Sequence, residues 1–89
     1  MTTESEPMNI LNELHTEISK LPIFFRERVC EECNYSTPTF YRKIKGHNRW
    51  TENKPIQVLS NAEREKICEI AEEVATRLVA LIGEVKENN

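Results

Sequence analysis

The sequence predicts an all-α fold, a small helical bundle that ends in a long amphipathic C-terminal helix. Apolar residues recur at three- and four-residue spacing in several separate stretches, and no stretch alternates polar and apolar residues for long. Two glycines and four prolines in 89 residues leave little material for hairpins. Helix-capping residues stand where the periodic stretches begin. A chain of 89 residues makes one domain with a modest core, and 38% hydrophobic with 30% charged residues is an ordinary globular balance.

In chain order, residues 1–7 read as a flexible polar tail. A first helix is expected from Met8 to about Lys20, on the spacing of Ile10, Leu11, Leu14, Ile18 and Leu21. Leu21-Pro22 breaks it, and Pro22 can open the next helix, which runs to about Cys33 with Phe25, Val29, Cys30 and Cys33 on one side. Asn34-Tyr35-Ser36 is a turn in which Asn34 can take the left-handed conformation. A third helix starts with Ser36 or Thr37 as N-cap and Pro38 in its first turn, then stops at Gly46; Phe40 and Ile44 are its inward pair. Residues 46–59 have no clean period and read as a connector. Ser60-Asn61-Ala62-Glu63 is a capping box opening a helix over residues 60–86, about 39 Å long, whose apolar stripe runs from Ile67 to Val85.

Residues 25–46 therefore hold the parts of a helix-turn-helix. Two closely crossing helices need a small side chain at the crossing, and Cys30 supplies it. The turn needs a residue tolerant of positive φ, and Asn34 qualifies. Tyr35 plugs the core just after the turn.

The run Val29-Cys30-Glu31-Glu32-Cys33-Asn34-Tyr35-Ser36-Thr37-Pro38-Thr39-Phe40-Tyr41-Arg42-Lys43-Ile44-Lys45-Gly46 resembles the signature of bacterial and phage helix-turn-helix transcriptional regulators. That signature has Ala where Cys30 stands and Gly where Asn34 stands. It continues with Ser, a Thr at Thr39, an apolar residue at Phe40, and often Tyr-Arg and Lys-Gly. The resemblance covers about 22 of the 89 residues. It implies a recognition helix, residues 37–45, docked in the major groove of double-stranded DNA. Thr37, Tyr41 and Arg42 fall at base- or phosphate-facing positions and Thr39 at a frequent phosphate contact. Pro38 departs from the pattern, placing a side chain without a donor where a base contact is usual.

The charge distribution points the same way. The net charge is −3, but residues 36–54 carry Arg42, Lys43, Lys45, Arg49 and Lys54 against Glu52 alone, a local +4 between flanks of −4 and −3. Such a patch orients a protein on a polyanion. Lys43, Lys45 and Arg49 join Thr37, Thr39, Tyr41 and Arg42 as expected DNA-contacting residues. Trp50 is expected to plug the core under the connector.

Other chemistry is poorly supplied. Cys30 and Cys33 have CxxC spacing, but no second CxxC accompanies them and they occupy positions the motif needs small or apolar, so core packing is expected and no metal. They sit at a helix C-terminus, which does not activate a thiol. His15 and His47 are isolated, no glycine-rich phosphate loop is present, and no enzyme, cofactor or small-molecule ligand is expected. The acidic N-terminus and the lack of a long apolar run argue against a signal peptide or membrane span and for the cytoplasm. The three-four alternation of Ala71, Val74, Leu78, Leu81 and Val85 suggests a homodimer through the C-terminal helix. The expectation is a sequence-specific, homodimeric DNA-binding regulator of a phage or mobile element. The competing reading is a non-enzymatic helical adaptor that uses the same fold to bind protein.

Overall fold

Asn9 starts the first helix, its Oδ1 accepting the Asn12 backbone N–H at 2.8 Å. In the computed structural model, which describes residues 9–46, 49–51 and 54–88, this helix α1 spans Ile10–Ile18. It ends before Lys20, whose N–H bonds the Glu17 carbonyl three residues back at 3.1 Å, while the Ser19 hydroxyl joins its own N–H on the His15 carbonyl at 2.6 Å. The expected tail at residues 1–7 lies outside the described residues. Helix α2, Leu21–Cys33, begins one residue before Pro22, whose missing N–H costs nothing in a first turn.

Asn34 ends α2 at φ 58° and ψ 45°, the one non-glycine residue with positive φ among those described. The Tyr35 N–H then reaches back to the Cys30 carbonyl at 2.9 Å, an oxygen that also accepts the Asn34 N–H, and closes the helix end. Ser36 opens helix α3, Thr37–Lys45, its Oγ accepting the Thr39 N–H at 3.2 Å. The turn is tight because a left-handed residue and an N-cap stand two positions apart.

The connector holds more order than its sequence suggests. Strands β1, Arg49–Thr51, and β2, Lys54–Ile56, pair antiparallel, with Arg49 opposite Ile56 and Thr51 opposite Lys54. Three-residue strands are too short to show a period of two, and Pro55 is tolerated because both strands of a two-stranded ribbon are edges. Helix α4, Asn61–Asn88, then runs 28 residues, about 42 Å. Its capping box is formed on both sides: the Ser60 N–H donates to Glu63 Oε1 at 2.7 Å, and the Glu63 N–H to Ser60 Oγ at 3.1 Å. The fold is an all-α bundle with one small hairpin. No helix among the described residues is long and apolar enough to cross a membrane.

The core sits where α2, α3 and α4 meet. Val29, Phe40 and Ile70 are buried together, flanked by Phe25, Cys30, Cys33, Tyr35 and Ile67. Leu21 and Val85 are buried nearer the far end of α4, where α1 packs. Charge also fastens α2 to α4. The Arg28 guanidinium meets Glu73 at 3.0 Å while holding Glu31 and Glu32 on its own helix, and Arg77 lies over the Phe24 ring at 4.4 Å.

The Ile67–Val85 stripe is therefore largely spent inside the chain: Ile70 and Val85 are buried, and Ile67, Val74, Leu78 and Leu81 are half-buried. Ala71 and Ile82, at its edge, stay exposed.

Candidate nucleic-acid interface

Helix α3 turns about 100° per residue, and its burial pattern fixes which side faces the core. Phe40 is buried and Thr39 and Lys43 are half-buried, which sets an inward arc on the Thr39–Phe40–Lys43 side. Thr37, Pro38, Tyr41, Arg42, Ile44 and Lys45 are all exposed. Ile44 was the expected partner of Phe40, yet it is 63% exposed. It stands at the rim of a cleft of about 180 Å³ that Phe25, Phe40, Leu59 and Ile67 also line.

Tyr41 projects outward with its ring edge-on to Phe40, centroids 5.3 Å apart and planes at 90°. Its hydroxyl accepts from Arg26 Nη1 at 3.1 Å, a bond that ties the first half of α2 to the outer face of α3. Arg26 was not among the expected site residues. Fifteen positions separate it from Tyr41, and nothing in a helical period connects residues on two different helices. Its guanidinium is held further in its charged form by Tyr41 first and Glu27 second.

Arg42 is steadied by a chain of hydroxyls. Ser36 Oγ donates to Thr39 Oγ1 at 2.8 Å, and Arg42 Nη2 approaches the same oxygen at 3.5 Å. Thr39 Oγ1 thus accepts from both neighbours, and Arg42 itself is exposed. Thr37 and Lys45 are exposed, and their side chains make no hydrogen bond among the described residues.

Lys43 does something else. Its ammonium donates to the Val58 carbonyl at 2.9 Å and lies 5.8 Å from the centroid of the Tyr35 ring, so it fastens the segment before α4 to the back of α3. Tyr35 completes this seam by donating to Glu63 Oε2 at 2.5 Å. Burial, then that bond, pushes the Tyr35 phenol well above its usual range. The same bond, with the Ser60 N–H, holds the Glu63 carboxyl below its own. One carboxylate therefore caps α4 and anchors the residue just after the α2–α3 turn.

The described cations fall into two groups, and Arg64, Arg77 and Lys86 of α4 stand with those of α3 in making no ion pair among the described residues. Lys20, Arg26, Arg28 and Lys66 each touch a carboxylate. Among the described residues no carboxylate lies within ion-pair distance of Arg42, Lys43 or Lys45. The side chain of Arg49, and that of Trp50, lie outside the described residues; β1, to which both belong, follows α3 directly.

The cysteines are free thiols. Cys30 and Cys33 pack against the core and Cys68 is exposed. Burial first, and the charges of Glu63 and Glu32 after it, push the Cys33 thiol up, so it is held protonated. Among the described residues no three His, Cys, Asp or Glu side chains gather into a metal-binding group. No family model, no curated protein and no solved structure matches this chain.

Proposed function

We propose that this chain is a sequence-specific DNA-binding transcriptional regulator, related in design to the helix-turn-helix regulators of bacteria and phages or other mobile elements. It works in the cytoplasm as a homodimer and lays α3 in the major groove of double-stranded DNA. The observation that carries the reading is the outer face of α3: a capped helix presenting Thr37, Tyr41, Arg42 and Lys45, whose cations have no carboxylate partner among the described residues. A cation left unpaired beside acidic surroundings is available to a phosphate or a guanine edge.

Within this reading Arg42 and Tyr41 face base edges and Lys45 and Arg49 face phosphates. Arg26 joins them as a clamp that orients Tyr41. Thr39 is nearest the backbone at the helix start. Lys43 acts on the fold, through Val58, more than on DNA. One recognition helix with so few contacts reads a short half-site, and a homodimer reading two half-sites reaches useful affinity.

The test is duplex binding measured across a range of salt. With Lys45 and Arg49 each neutralising one phosphate, log affinity should fall against log salt with a slope of about −2 per chain. Binding to no duplex at low salt would remove the DNA reading and leave the protein-binding adaptor.

A further inference from the structure

The face of α4 turned away from α1 and α2 carries a second periodic stripe. Cys68, Glu72, Ala75, Val79, Ile82 and Lys86 follow one another at spacings of four, three, four, three and four, and all six are exposed. Val79 is 70% exposed and Ile82 39%. Gly83 stands at the edge of this stripe, and a Cβ built on it would meet nothing within 4 Å. Glycine in a helix interior is disfavoured against alanine, and nothing among the described residues approaches Gly83 closely enough to need its small size. The spacing is that of a two-stranded coiled-coil seam.

We propose that this stripe, and not the buried Ile67–Val85 stripe, is where a second copy of the chain docks, with the two α4 helices antiparallel. The inference takes the self-association in the proposed function as its premise and adds the face and the direction. Charge selects the direction. A parallel pair would set Glu72 against Glu72 and Lys86 against Lys86 in the seam itself. An antiparallel pair with its two-fold axis near Arg77 sets Val79 on Ala75 of the other copy, twice, a large residue against a small one. It also brings each Lys86 within one helical turn of the other copy's Glu72, which a lysine side chain spans. Gly83 then lies beside the close approach of the two backbones. The seam itself is self-complementary in charge, with Glu72 toward one end and Lys86 toward the other.

Sedimentation equilibrium on the full chain without DNA tests the proposal. The native chain should be a dimer. Val79→Glu should raise the dimer dissociation constant at least about thirtyfold while helicity stays unchanged, because Val79 is exposed in the single chain. Lys86→Glu alone should weaken the dimer, and Glu72→Lys combined with Lys86→Glu should restore it. A native chain that remains monomeric at high concentration overturns the seam, and one that also binds DNA does so without touching the DNA reading. A dimer that survives Val79→Glu overturns the face. A charge exchange that fails to restore what Lys86→Glu removed overturns the antiparallel direction.

Discussion

Phe40→Ala should destabilise the chain by about 3–5 kcal/mol, the range for removing a buried phenylalanine ring. Phe40 is 8% exposed and joins Val29 from α2 and Ile70 from α4, so one side chain holds three helices at a common point. The ring also backs Tyr41 edge-on, and a cleft already lies beside it. Truncation enlarges that cleft and removes the surface on which the outer face of α3 rests. At about 4–8 °C for each kcal/mol in a domain of this size, the melting temperature should drop by tens of degrees. Ile44→Ala is the control: one turn further along the same helix but 63% exposed, it should cost less than about 1 kcal/mol. A loss below about 1 kcal/mol for Phe40→Ala, measured by denaturant unfolding, would mean that α3 does not pack as described.

Arg42→Ala and Lys45→Ala should fail in different ways. A side chain that reads base edges loses discrimination when truncated, by about 1–3 kcal/mol for one good bidentate contact. A phosphate contact weakens every sequence alike and lowers the salt slope by about one. Arg42 suits the first role, exposed on α3 with one nitrogen near Thr39 Oγ1. Lys45 stands exposed in the last turn of α3, where a backbone passing the helix end would meet it. Arg42→Ala should therefore narrow the gap between specific and random duplexes, and Lys45→Ala should chiefly flatten the salt dependence. Equal affinity of both variants and the native chain for every duplex would contradict the assignment of α3 as the reading element.

Local signals in the sequence were strong where one residue has few alternatives. Asn34 is legible as a turn because few side chains accept positive φ, and Ser36, Pro38 and the Ser60–Glu63 box mark helix starts by backbone chemistry that tertiary packing does not override. Sidedness was harder. In a helix of nine residues, Phe40 with Ile44 and Phe40 with Lys43 both lie about one turn apart, and hydrophobicity favours the first pair. The structure takes the second, because the Val58 carbonyl and the Tyr35 ring receive the lysine. The Arg26–Tyr41 bond and the hold of Arg28 on Glu73 join residues 15 and 45 positions apart, and no local pattern encodes such pairs. The Ile67–Val85 stripe was visible as apolar, but its period alone could not say whether α1 and α2 or a second copy would cover it.

The central claim is that α3 reads a DNA sequence, and selection from a pool of random duplexes at stated salt tests it most directly. The native chain should enrich a short motif, repeated in two halves if the dimer binds as one unit, and Arg42→Ala should enrich the same motif with at least one position relaxed. Recovery of an unenriched pool by a chain shown to be folded would contradict the account.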